Sequence, residues 1–144
     1  VQQTLYNHLV NVDSDGKFLL HMEKRLHFAF DQYYEGKKMT KGRKQQHLIQ
    51  TFRLLQLLCD GHHLGFQDYL RIQNAQTSLQ VNIVKTSCEF FIQLSDSKES
   101  IEKLSAIEVS LISQILLFFI ECIQGPCGGN QELIIKSDVI IALD

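Results

Sequence analysis

Apolar side chains recur along this chain at steps of three and four residues, the period of a helix with one face turned inward. Residues 2–11 carry Leu5, Tyr6 and Leu9 on such a face before "NVDSDG" breaks the pattern with turn-forming residues. Phe18, Met22, Leu26, Ala29, Phe30 and Tyr33 mark a second amphipathic helix, from Lys17 to Glu35. A third is expected from Gln45 to Asp60, with Leu48, Phe52, Leu55 and Cys59 inward, Gln46, Gln50 and Arg53 outward, and Gly61 as its stop. "HHLGFQDYLRIQN" gives a short fourth helix anchored by Phe66, Tyr69 and Leu70. Residues 78–95 carry two apolar stripes, one of Val81, Val84, Cys88 and Phe91, the other of Leu79, Ile83, Phe90 and Leu94. That helix is expected to be buried between neighbours. The sixth helix, 100–124, is the longest and halts at Gly125 and Pro126; a seventh is expected from Asn130 past the last residue.

Seven helices joined by short polar turns define an all-α domain. They could close as a bundle or stack as hairpins, and helices apolar on two faces favour stacking, as in an armadillo-like helical solenoid. No repeat of solenoid length is visible in the sequence. At 144 residues, with 44% hydrophobic and 21% charged, the chain has enough apolar material for one domain over 1–144 with its own core. Phe52, Leu55, Val84, Cys88, Phe91, Leu111, Ile115 and Phe118 are the expected core. The pattern opens without Met and is still apolar at "VIIALD", as in a piece of a longer polypeptide.

Charge and cysteine change the picture little. "GKKMTKGRK" (36–44) holds five of the fourteen Lys and Arg and no acid, leaving nine basic against sixteen acidic residues elsewhere. Basic residues confined to one linker are expected to be solvated, and they do not make the folded basic face of a nucleic-acid binder. Cys59, Cys88, Cys122 and Cys127 lie mostly within apolar runs, so buried reduced thiols in a cytosolic setting are expected. The longest unbroken apolar stretch, Ile115 to Ile120, is far short of the roughly 20 residues that span a bilayer, so no direct membrane insertion is expected.

No nucleophile motif, zinc-protease pattern or phosphate-binding loop appears, and no enzymatic activity is expected. Cys59, His62, Cys122 and Cys127 could supply a zinc set on paper, but they lack paired Cys-x₂-Cys spacing. The chemical oddity lies elsewhere. Two apolar helices each end on an acid, Asp60 before Gly61 and His62, and Glu121 with Gln124 before Gly125. Acids are disfavoured there, because the last carbonyls of a helix already carry partial negative charge. Glu121 and Gln124 are three apart and share a face. If the two ends meet, their oxygens suit a hard cation, calcium most naturally. The simpler reading is also open, since exposed acids near helix ends cost only a few tenths of a kcal/mol.

"FRLLQLLCDGHHLGFQDYLRIQN" and "ECIQGPCGGNQ", with "VQQTLYNHL", "GKFLLHMEKRL" and "DVIIALD", resemble the RIH-associated domain of inositol trisphosphate and ryanodine receptors, leaning towards the former. The resemblance covers nearly the whole chain. It implies a helical solenoid segment of a homotetrameric calcium-release channel, on the cytosolic face of the endoplasmic reticulum membrane. It also implies a calcium ion held by Asp60 and Glu121, with Gln124 and His62 close by and a carbonyl from a carboxy-terminal domain of the same channel completing the set. Neighbouring solenoid domains would be the other partners. Asp60 departs from the family's usual Glu, which shortens the reach by one methylene, and the 36–44 linker is short for the family. A purely structural scaffold without a working metal site is the competing expectation.

Overall fold

The computed structural model describes residues 1–12, 16–34, 43–73, 80–96 and 104–143. They form α1 (Gln2–Val12), α2 (Lys17–Tyr34), α3 (Arg43–Cys59), α4 (Leu64–Tyr69), α5 (Ile83–Asp96), α6 (Ala106–Ile123) and α7 (Gly128–Lys136), then a 3₁₀ turn, Ile141–Leu143. No strand occurs among the described residues. The all-α expectation holds.

The helices stack with an offset of three. α2 packs on α5, α3 on α6 and α4 on α7, so the triplet α2–α3–α4 lies against the triplet α5–α6–α7. This is the arrangement a stacked helical array requires, each unit burying its apolar face on the next. The α3–α6 pair is the most extensive of these contacts, and every residue of the expected core is buried. Phe52 of α3 stacks against Phe90 of α5 with centroids 6.2 Å apart and tilts against Phe118 of α6 at 5.9 Å, tying three helices together. Phe91 meets Phe119 edge-on at 5.9 Å. One polar contact crosses the α3–α6 seam, where Gln114 Nε2 donates to Gln56 Oε1 at 2.8 Å.

Boundaries differ from the periodicity in several places, each for a local reason. Leu5 is 41% exposed, because α1 meets α4 through Tyr6, whose ring lies 5.3 Å from Phe66 and 6.3 Å from Tyr69. The fifth helix starts at Ile83, where Asn82 Oδ1 accepts the Lys85 N–H as a cap. Just before it, Gln73 donates to the Tyr69 and Val81 carbonyls and accepts the Val81 N–H, pinning the chain in a non-helical path. The sixth begins at Ala106, after Ser105, whose N–H and hydroxyl both reach Glu108 Oε2. The seventh does not run past the end: Ser137 is extended, its hydroxyl takes the Ile134 carbonyl, and Val139 folds back into the core. The basic linker lies outside the described residues except for Arg43 and Lys44, which already belong to α3, and the Tyr33 side chain lies outside them too.

All four cysteines are buried free thiols. Burial pushes the Cys88 thiol up to about 11 and the Cys122 thiol well above the usual range, with the Cys59 thiol beside Cys122 adding to its shift. Cys88 and Cys122 therefore stay protonated, and the buried thiols serve as core filling.

Candidate functional site

The ends of α3 and α6 lie together. After Cys59 the chain reverses through Gly61 and His62 at φ +67 and +62, and after Ile123 it reverses through Gly125 at φ +75. A left-handed backbone costs a side-chain-bearing residue about 1–2 kcal/mol, so His62 is the strained member of the pair. The two turns touch, since a Cβ on Gly125 would stand 3.2 Å from His62 Cβ. The contact between the Cys59 and Cys122 thiols joins the same two ends one turn further in.

Neither helix carries a basic residue in its last turn. The free carbonyls are satisfied instead by neutral amides. At α6, Gln67 Nε2 donates to the Glu121 and Gln124 carbonyls at 2.6 and 2.8 Å. Asn130 Nδ2 donates to Cys122 O at 3.1 Å, and Gln131 Nε2 to Ile123 O at 2.8 Å and Gly125 O at 3.0 Å. The Gln124 N–H closes the set on Ile120 O. At α3, Gln2 Nε2 reaches Leu58 O at 2.7 Å and Asp60 O at 2.9 Å. Every carbonyl from 120 to 125 is therefore engaged, as buried backbone groups must be, yet neither helix has a basic residue in its own last turn to offset its partial charge.

Onto this surface the sequence places its acids. Glu121 is half-buried, and its Oε2 is fully enclosed with no hydrogen-bond partner. A buried carboxylate oxygen without a donor is costly, and it is the atom a hard cation would satisfy. Gln124 is half-buried beside it, while Asp60 and His62 are exposed on the facing turn. The fit to calcium rests on that orphan oxygen and on the oxygen-bearing side chains of Gln124 and Asp60 on the same two turns, and it is partial. Among the described residues no three His, Cys, Asp or Glu side chains come close enough to hold a metal ion, so Asp60, His62 and Glu121 do not form a closed set.

His63, which the sequence gives no reason to prefer over His62, has a defined structural role. Its Nδ1 accepts the Phe66 N–H as the α4 cap, which leaves Nε2 to donate to Gln3 Oε1 at 3.1 Å. The amides Gln2, Gln67, Asn130 and Gln131 are absent from the residues picked out by sequence. Their one available signal was the crowding of uncharged amides around two helix stops that lack any Lys or Arg.

An all-α, triplet-stacked domain with two amide-capped helix ends presented together is the class of structure defined so far. Residues 42–143 match the model of the family described as RyR and IP3R Homology associated, and the chain belongs to that family. It is 37% identical over 84 residues to inositol 1,4,5-trisphosphate receptor itr-1 of Caenorhabditis elegans, a match covering 56% of this chain. The chain spans about 3% of the length of that relative.

Proposed function

We propose that this domain is a calcium-responsive coupling module from the cytosolic part of an intracellular calcium-release channel. The observation that carries the proposal is the enclosed, unpartnered Glu121 Oε2 at the junction of two helix ends whose last turns carry no basic residue. Glu121 and Asp60 would hold the ion, with Gln124 and His62 beside them. A bound calcium would supply a divalent bridge between these carboxylates and a carbonyl of the carboxy-terminal domain. With so few acids on this side, affinity depends on how closely the partner approaches. The module would therefore bind best in one channel arrangement, and differential affinity between arrangements is what shifts gating.

Membership of the family and the relative's name support the channel assignment. The homotetramer, the cytosolic face of the endoplasmic reticulum membrane and the absence of enzymatic activity are further parts of the proposal, in keeping with a receptor-channel family. Neighbouring solenoid domains are supported by apolar side chains left exposed on the layers: Leu54 and Leu57 on α3, Val109, Leu117 and Ile120 on α6. Terminal repeats of a free-standing array carry polar outer faces, whereas these mix apolar with polar side chains. We take 1–144 as one unit, since Tyr6 packs on α4 and α2 on α5. α6 is long and apolar enough by length and composition to cross a membrane. We read it as a core helix, because Leu111, Ile115, Phe118 and Cys122 pack inside the domain and Gln114 pairs with Gln56.

The competing reading is a structural scaffold, favoured by the lack of a closed three-ligand set. Asp60 separates the two. In the full-length channel, Asp60→Glu is expected to lower the calcium concentration for half-activation, and Asp60→Asn to raise it, on the order of threefold or more for an exposed ligand charge. Single-channel open probability against calcium checks both. Two unmoved curves would favour the scaffold.

A further inference from the structure

We propose that the neutral amides capping α6 set the affinity of this helix end for a calcium ion, and that Gln131 is the residue through which this can be read most cleanly; the inference rests on the calcium reading above. A helix C-terminus has two ways to satisfy its last carbonyls. Lys or Arg does so while cancelling the negative partial charge, and Asn or Gln does so while leaving it in place. The α6 end uses the second way throughout. Gln67, Asn130 and Gln131 cover the carbonyls of residues 121–125 between them, through five bonds of 2.6–3.1 Å.

The arrangement is built, and not incidental to an exposed helix end. Gln67 and Asn130 are fully buried, and Asn130 Nδ2 also donates to the Gln67 backbone carbonyl at 3.0 Å, so one capping side chain anchors the backbone of the other capping residue. Their acceptor oxygens, Gln67 Oε1 and Asn130 Oδ1, are enclosed without partners, as is Glu121 Oε2. All the donors of the cap point at backbone carbonyls, and the oxygens left over are unpaired. The region thus keeps its geometry and remains electronegative. Stability alone would be served better by a cation at this position. Among the described residues, Arg71 pairs with Asp68 at 2.7 Å through one guanidinium nitrogen while its Nε is buried without a partner, and Lys136 pairs with Glu132.

Gln131 is half-buried, and its bond to Gly125 O is exposed to solvent, so a longer side chain can be accommodated there. Gln131→Lys keeps a donor for the Ile123 and Gly125 carbonyls and adds one positive charge. Gln131→Met keeps the length but removes donor and dipole without adding charge. The test is a calcium titration of the 144-residue chain, followed through the backbone amide resonances of 121–125, with the thermal midpoint of each variant measured without calcium. The isolated chain supplies only part of a coordination shell, so wild-type binding is expected in roughly the millimolar range. Gln131→Lys is expected to hold or raise the midpoint and yet weaken calcium binding on the order of tenfold, by repulsion between like charges at short range. Gln131→Met is expected to lower the midpoint and weaken binding much less.

Gln131→Lys binding calcium as tightly as wild type, while Glu121→Gln binds it more weakly, would overturn the inference and leave the calcium site standing. Equal weakening by Lys and Met would also overturn it, because the amide would then act only through structure. A wild-type chain whose 121–125 resonances do not move with calcium, or move identically in Glu121→Gln, would remove the site itself, and the inference with it.

Discussion

Phe52→Ala is expected to lower the free energy of unfolding by about 3–5 kcal/mol, the range for truncating a fully enclosed aromatic ring. The ring is completely buried on α3 and is the contact common to three helices, stacking on Phe90 of α5 and tilting on Phe118 of α6. Its removal leaves a cavity at the α3–α6 seam, which is the most extensive packing in the stack. Rings at this spacing are also worth about 0.5–1.5 kcal/mol per pair beyond the area they bury. Urea denaturation followed by helical circular dichroism measures the loss. A cost below about 1 kcal/mol would mean that the triplets can close over the gap, and that the seam is not the centre of the fold.

Gln67→Met is expected to cost about 2–4 kcal/mol, although Met is apolar and close to Gln in length. The penalty comes from the carbonyls left behind. Gln67 is fully buried on a six-residue helix, and its amide closes two carbonyls of the α6 end, those of Glu121 and Gln124. A donor-free side chain leaves them partly buried and unsatisfied, at roughly 1–3 kcal/mol each. Hydrogen exchange gives the local signature, with protection lost first at the last turn of α6 and at the start of α7. A neutral or stabilising Gln67→Met would show that water replaces the amide freely, and the capping account would fail with it.

Much of the fold was legible in the sequence, because burial follows helical periodicity wherever a helix is amphipathic. Leu48, Phe52, Leu55 and Cys59 fall on one stripe and are all buried, as are both stripes of α5 within its described part. What could not be read was set by side chains acting across loops. Gln73 delays the start of α5 by bonding both the N–H and the carbonyl of Val81 outside the helix, and Ser137 ends α7 although the residues beyond it are still apolar. The offset-of-three stacking leaves no period in the sequence, since each helix answers to different neighbours. At the site, the meeting of two helix stops was readable as a possibility from paired acid–glycine endings. The amide caps were not, because Gln and Asn are usually exposed and nothing local distinguishes a buried Gln67 from an exposed Gln50. His62 and His63 show the same limit: identical residues, adjacent in sequence, one held in a left-handed backbone beside Gly125 and the other capping α4.

The claim that this domain senses calcium is tested most directly by Glu121→Gln in the full-length channel, read as single-channel open probability across a calcium series. Gln keeps the size and one oxygen while removing the charge that attracts a hard cation. It also ends the conflict between a carboxylate and the α6 C-terminus, so the variant is expected to fold and to bind messenger normally. The account predicts half-activation moved to higher calcium by at least about tenfold, the effect of one lost ligand charge at contact distance. An activation curve that superimposes on wild type, in a variant that folds and assembles, would contradict it and leave the domain as a scaffold that transmits a calcium signal sensed elsewhere.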